Sequence, residues 1–528
     1  MRSIVHVIVL LCLLIPAGTA GAPTPLTPTV PASSDEGMPD LQLMPPHPRL
    51  KAAIERGDVN PPRAVAGIAQ TPGIGVDQPR GGPRQFTNLL KAETANLNAL
   101  AVVVDFSDNV KTVGASFFDS LIFAAPVAGR GSVRDYFKEV SYLTIDIVTV
   151  NLPSSLGWKR APQTYGYYVN NNYCTDGVYP NNCQKLAEDI VDAVNGVVNF
   201  ANYDNDGDGY TEPIMLIHAG PGAEFTGNPT DVWSHSWVLN TAKRYDNVWI
   251  ADYVIMPEYW QTVIAATSDM NIGVFAHEMG HGFWGLPDLY DRDYSSEGAG
   301  NWSLMAGGSW NGPNTGGWGP NGSSPAWPDA WSRTKMGFST ATSIGGNIVS
   351  LFVPRAYGNP PPAQTVLKLR SAVLGAQEYF LLENRQQLSG SYDEWLPGSG
   401  LLVWHVDEAM NVYGKQNDYE CTSVPHCVCS DSYHYLLTLE QADGLLDLER
   451  ALDGGDTGDP FPGNTFNRTW TMLTNPESSS WYGNAACTNT CIGVTNIGNS
   501  GVTMAADLRV TCGPMPDDSI YLPIVSKE

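Results

Sequence analysis

Positive charge is scarce in this sequence: 29 of its 528 residues are Lys or Arg, against 54 Asp or Glu, for a formal charge of −25. A field of that sign repels nucleic acid and anionic lipid and attracts divalent cations, so a charge-driven nucleic-acid binder is excluded. Charge of either sign is thin, at 16% of residues against a usual share of about 25%. Hydrophobic residues make up 43%, a balance that excludes global disorder and describes a chain with apolar cores. Long apolar runs are nearly absent. The one that stands out, Ile4 to Ile15, is short for a bilayer span. It follows Arg2 and precedes the small residues Ala17 to Ala22, the pattern of a secretory signal peptide expected over residues 1–20. After its cleavage no membrane anchor is expected.

Cysteine is also sparse. Of nine, Cys12 falls in the leader, and the remaining eight form an even set, which in an exported chain reads as disulfides. Cys174 and Cys183 stand apart from the others and are the best candidate pair; the other six leave their connectivity open. Cys421, His426, Cys427 and Cys429 can alternatively be read as a zinc cluster.

What the chain does have is segmented. Residues 21–96 are rich in Pro, Gly and Ala, with only Leu50 to Glu55 of helical pattern, and read as a loose linker or a removable, largely irregular pro-segment. From 97 to 340, apolar runs (Leu97 to Phe106, Pro213 to His218) alternate with helical patterns (Val133 to Tyr142 behind Ser132, and Lys185 to Val198), as in an α/β unit. From 341 to 528 the texture becomes short β-rich runs separated by Gly, Asp and Pro: Ile348 to Val353, Thr365 to Leu369, Tyr379 to Glu383, Gly400 to Val406 and Tyr435 to Glu440. That spacing predicts an all-β sandwich domain.

The chemistry concentrates in FAHEMGHGFWGLPDLYD, Phe275 to Asp291. His277 and His281 are four residues apart, so on a helix they share a face and can share one metal ion. Zinc lowers the pKa of a coordinated water to roughly 7, and Glu278 beside the histidines is placed to take its proton as general base. Asp288 can complete a three-ligand site with an open fourth position. Downstream, WSLMAGG places Met305 in a turn of the metzincin kind.

With these motifs the sequence resembles the immune inhibitor A-like family of secreted bacterial metallopeptidases from about residue 98 to 510. The likeness is carried by VVVDFSD (Val102 to Asp108), SVRDYFKEVSY (Ser132 to Tyr142), YDNDGDGY (Tyr203 to Tyr210), DVWSHSW (Asp231 to Trp237) and NWSLMAGGSW (Asn301 to Trp310). In the second half it includes EYFLLENRQ (Glu378 to Gln386), LPGSGLLVWHVDE (Leu396 to Glu408) and GDTGDPFPG (Gly455 to Gly463). The resemblance implies a metzincin-like zinc endopeptidase made as a zymogen, with His277 and His281 as ligands and Glu278 as base. In the family's pattern the glycine and aspartate fall three and six residues after the second histidine; here Gly285 and Asp288 fall four and seven after, with Pro287 in the usual ligand position. Either the helix runs one residue further or a bulge absorbs the insertion, with Asp291, Asp293 and Glu297 as further candidate ligands.

Asp204, Asp206 and Asp208 alternate as calcium ligands do, and Glu212 could close such a site, although the loop departs from the EF-hand at its twelfth position, Met215. Asp443, Asp447, Asp453, Asp456 and Asp459 form another acidic region, which reads as a second calcium site or a solvated loop. His218, His235, Tyr290 and Tyr294 are candidates to line the cleft or donate to an oxyanion. The pro-segment lacks a cysteine to cap the metal, which leaves His47, Asp40 or Asp58 for that role. The expected function is a secreted zinc endopeptidase, with Zn2+ and structural Ca2+ as cofactors and proteins or peptides as substrates. A binding or adhesion protein on an inactive protease scaffold, or a metal hydrolase of esters or other amides, are the competing classes.

Overall fold

The apolar runs become the middle of a mixed sheet. The computed structural model describes residues 41–62, 95–125, 131–175, 179–261, 263–264, 267–314, 320–358, 365–412, 415–419, 433–482 and 488–516. Residues 1–20, expected to form a leader, and Asp40, Cys421, His426, Cys427 and Cys429 lie outside these described residues. At the centre β6 (Ile214–Pro221) runs parallel to β3 (Ala101–Asp105) and β8 (Val248–Tyr259), and its side chains are buried on both faces, as an interior parallel strand requires. Beyond β3 lies β5 (Lys159–Arg160); beyond β8 lies β7 (His235–Tyr245), antiparallel to it. The edge of β7 is covered by β1 (Gln42–Leu43).

The expected strand Leu97 to Phe106 divides in two. Its start, β2 (Ala95–Asn98), pairs with β4 (Ile145–Val148), and the chain then crosses to the main sheet, where Leu100 O accepts from Met215 N. A short hairpin, β9 (Val263–Ile264) with β10 (Thr267–Ser268), follows β8. The helix Val133–Val140 is capped by Ser132 and stops two residues early, because Tyr142 and Leu143 adopt positive φ. The helix Cys183–Val194 starts on Asn182 and is pinned by a Cys174–Cys183 disulfide. Cys491 pairs with Cys512.

The C-terminal half contains two further sheets. One has the order β11 (Thr342–Ser343), β13 (Val366–Leu369), β14 (Glu378–Arg385), β15 (Gly400–Asp407), β16 (Leu437–Leu439). The other runs β12 (Ile348–Pro354), β18 (Thr503–Arg509), β17 (Gly493–Thr495). They share a core that includes Val353, Phe380, Leu401, Trp470, Val494 and Leu508. Every residue of β14 and β15 is buried, because the opposite face of this sheet meets the N-terminal half. There Arg333 pairs with Glu383 at 2.7 Å, and Arg385 grips Asp393 through two bonds of 2.6 Å. All four side chains are buried, so each charge depends on its partner.

Candidate metal centre

The helix Ile272–Trp284 is apolar nearly all round, and every residue except Gly282 is buried against the sheet at β7 and β8 or the loops above it. It ends on Gly285, whose φ of 63° is a left-handed cap; Gly285 N and Leu286 N return to His281 O and Gly280 O. Of the two ways to absorb the extra residue, the chain uses the longer helix. Asp288 then follows Pro287 back under the helix.

Three donors converge there. His277 Nε2 and His281 Nε2 are 3.0 Å apart, and Asp288 Oδ1 lies 3.3 and 3.1 Å from them. His277 Nδ1 faces Leu304 O at 2.9 Å and His281 Nδ1 faces Leu286 O at 2.6 Å. A carbonyl only accepts, so in the neutral rings both Nδ1 atoms carry the proton and both Nε2 lone pairs point at one another. Two lone pairs and a carboxylate at such distances repel unless a cation lies between them. Two imidazoles and one carboxylate are a donor set suited to zinc with a fourth position left for water or substrate.

Electrostatics agree with that assignment. Burial holds the His277 ring below its ordinary pKa, toward the neutral form a metal ligand needs. Burial pushes the Asp288 carboxyl up, but His281 and His277 beside it outweigh this and hold it ionised. Glu278 is fully buried, and neither carboxylate oxygen has a hydrogen-bond partner among the described residues. Burial, with Asp288 and Glu224 adding to it, raises its pKa far above the usual carboxylate range.

Met305 forms the floor. A Cβ placed on Gly280, between the two histidines, would lie 2.5 Å from Met305 Sδ, so only glycine admits the sulfur this close. The Met turn is tied down in turn: Ser303 Oγ accepts from Met305 N and donates to Asp329, and Met305 O accepts from Leu289 N, next to Asp288.

The other candidates fall elsewhere. Asp291 is turned to Ser295, Ser296 and Asp293, and Glu297 to Lys51, so neither joins the histidines; Asp293 also stands outside the cluster. His235 does not open on the cleft, since its nitrogens are engaged inside the sheet by Trp233 O and Tyr253 Oη. His218 is buried in β6 against Ala219 O. Tyr290 donates to Leu43 O at 2.9 Å, and Tyr294 stacks beside it. Asp204, Asp206 and Asp208 cluster, and Glu212 Oε2 beside them accepts from the backbone and side-chain amides of Asn205. In the second acidic region Asp443, Asp456 and Asp459 come together, and Asp447 and Asp453 do not join them.

The largest departure from the sequence reading concerns residues 41–62. Far from being loose, they line the cleft. Leu43 pairs with His235 across the β1–β7 ladder, Met44 N donates to Ser234 O, and Trp233 and Trp310 donate to Met44 O and Pro45 O. Leu43 N faces Asp288 Oδ2 at 3.4 Å, and Gln42 Oε1 accepts from Asp288 N at 3.3 Å. Of the side chains expected to cap the metal, His47 and Asp58 are described and neither reaches it. His47 Nε2 bonds Pro320 O, and Asp58 pairs with Arg56. The signal that was available is LQLM, Leu41 to Met44, whose alternation suits a strand laid on a sheet edge.

Comparisons with known proteins bear on this site. Residues 110–340 match the family described as immune inhibitor A peptidase M6, catalytic domain. Immune inhibitor A from Bacillus thuringiensis subsp. alesti is 35% identical over 161 residues, covering 28% of this chain. The match spans 21% of that relative's own length. The HExxH helix, the Asp288 turn and the Met305 floor all lie inside the matched region, so residues 110–340 are similar to the catalytic domain of immune inhibitor A-like metallopeptidases.

Proposed function

We propose that this chain is a secreted zinc endopeptidase that hydrolyses extracellular proteins or peptides and is made as a zymogen. The observation that carries the reading is the convergence of His277 Nε2, His281 Nε2 and Asp288 Oδ1, each ring fixed from behind by a backbone carbonyl. His277, His281 and Asp288 would hold the zinc, which when bound supplies Lewis-acid activation of water and of the substrate carbonyl. Glu278 takes a proton from the attacking water and passes it to the leaving amine, a role its carboxylate oxygens, which have no hydrogen-bond partner among the described residues, are free to serve. The hydroxyl of Tyr290, which donates to the Leu43 carbonyl, would donate to the substrate's carbonyl in its stead. The fold around them fits a metzincin-like arrangement followed by a β-sandwich, with domain limits at 97–340 and 341–528.

Latency follows from residues 41–62. They lie along the strand edge a peptide substrate would use and cover Asp288, so they must leave before substrate enters. The leader at 1–20 and this segment together support export as an inactive precursor. Among the described residues no helix is long and apolar enough to cross a membrane. A structural calcium at Asp204, Asp206 and Asp208 belongs to the same reading, supported by three carboxylates within 4.8 Å of one another.

The test is digestion of casein before and after removal of the pro-segment. Hydrolysis that appears on removal, stops with a chelator and returns with zinc is expected. Hydrolysis of esters but not of peptides, or binding without hydrolysis, would transfer the scaffold to one of the competing classes.

A further inference from the structure

The stretch from Asp288 to Met305 carries the third candidate ligand at one end and the floor of the site at the other. The stretch is closed on itself by Leu289 N donating to Met305 O, and one side is held by the catalytic helix through His277 Nδ1 to Leu304 O. The opposite side is held from the C-terminal β region. Asp418 grips Arg292, Leu448 O accepts from Glu297 N, Gly454 O accepts from Asn301 N, and Asp459 accepts from the Trp302 indole.

The contact closest to the ligand is made by Asn417. Its carboxamide is buried and its bonding capacity is used on two backbones: Nδ2 donates to Leu289 O at 2.8 Å and to Leu437 O at 2.9 Å, and Oδ1 accepts from Leu437 N at 3.1 Å. The Leu437 N–H fixes which end of the amide is oxygen. Asn417 therefore ties the first residue after Asp288 to the edge strand β16 of the second half. Leu289 O also accepts from Ala299 N, so the Leu289 peptide groups are fixed from three directions.

We propose that Asn417 is a positioning residue for the metal centre: a side chain outside the catalytic half that sets the direction from which Asp288 meets the histidines. This rests on the reading of Asp288 as the third zinc ligand. Partners that orient a ligand without touching the metal commonly change affinity about 10–100-fold when removed. An effect of that size on zinc is expected here, although Asn417 acts through the backbone.

Asn384 supplies the control. It is equally buried and also donates Nδ2 to two carbonyls, Val353 O and Gly501 O, both inside the C-terminal half. Zinc dissociation constants are measured by chelator competition on the full chain, for wild type and for Asn417→Ala, Asn384→Ala and Asp288→Ala. The visible spectrum of the cobalt-substituted proteins and the melting of the metal-free proteins are recorded alongside. The proposal expects Asn417→Ala to weaken zinc about 10–100-fold and alter the cobalt spectrum, while Asn384→Ala lowers melting and leaves both unchanged. Asn417→Ser, which keeps a donor in place, should fall between wild type and alanine, and stands in if the alanine variant does not fold. Unchanged zinc affinity in the Asn417 variants, or an equal loss in Asn384→Ala, overturns the proposal. Unchanged zinc binding in Asp288→Ala overturns instead the ligand reading beneath it.

Discussion

His277 and His281 present their Nε2 atoms to one another at 3.0 Å, each ring held from behind by a backbone carbonyl, Leu304 O and Leu286 O. Preorganisation of this kind costs stability when the metal is missing. Chelation should therefore lower the melting temperature, and excess zinc should restore it by the mass-action stabilisation of a ligand bound only to the folded state, ~2.7 kcal/mol at a hundredfold excess over Kd. Calorimetry with and without chelator measures this. No shift on chelation would mean that the histidines hold no metal.

Gly280→Ala tests the Met floor. The added methyl would meet Met305 Sδ, and overpacking of this kind costs about 1–3 kcal/mol. Urea unfolding should record a loss in that range, together with weaker zinc binding, because the strain falls between the two histidines. A loss of stability with zinc affinity intact would separate Met305 from the metal site.

The His47 ring gives the cleft segment a pH dependence. Burial depresses its pKa from 6.5 to about 4, with the Pro320 carbonyl opposing in part. The docked segment binds fewer protons than the released one. Docking is therefore at full strength above pH 6.5 and weakens as pH falls from 6.5 toward 4. Hydrogen exchange over residues 41–55, corrected for intrinsic rates, should rise on going from pH 7.5 to 5, and His47→Gln should flatten the change. Equal pH dependence in the variant would remove His47 as its source.

The C-terminal half carries the opposite sign. His405 is buried with Nε2 3.0 Å from Glu378 and Nδ1 3.3 Å from Glu440. Burial works against the charged ring, yet these carboxylates outweigh it and raise its pKa, while Glu378 is held low against its own burial. The pair's contribution is complete between the ordinary values of the two groups, 4.5 for Glu378 and 6.5 for His405. It is lost as pH rises through the raised value of His405 and as pH falls through the lowered value of Glu378. His405→Gln should remove the alkaline arm of the stability–pH curve, read by denaturant unfolding; an unchanged arm would contradict the assignment.

Arg385→Ala leaves Asp393 buried without its bidentate partner and withdraws the guanidinium from Trp302 O at 3.4 Å. Breaking a buried pair in this way costs about 3–5 kcal/mol. Urea midpoints should fall accordingly. A loss below about 1 kcal/mol, typical of an exposed pair, would show the group to be solvated.

How much of this was legible in the sequence depends on the range of the interactions involved. The helix spacing of His277 and His281 is a local property, and so is the left-handed cap that needs Gly285; both follow from one stretch of chain. The resemblance to immune inhibitor A-like peptidases also pointed to Met305 ahead of the geometry. The β7–β8 hairpin was not read, because His235 to Tyr259 mixes polar residues into its exposed end and its burial is set by neighbours distant in sequence. Glu212 Oε2 accepts from the amide of Asn205, a contact that its spacing from Asp208 does not announce. Elimination points to His47 as the zinc cap, whereas the Gln42 side chain and the Leu43 backbone reach the site first. Asn417 carried no local signal, since its partner Leu289 lies 128 residues away.

Under the proposed function Glu278 moves protons at a zinc held by His277, His281 and Asp288. Zinc content and casein hydrolysis, measured together on the chain after pro-segment removal for wild type and Glu278→Gln, test it most directly. One zinc per chain in both proteins and chelator-sensitive hydrolysis in wild type alone are expected. Hydrolysis retained by Glu278→Gln, or a wild type that cleaves peptide bonds without metal, would contradict that function.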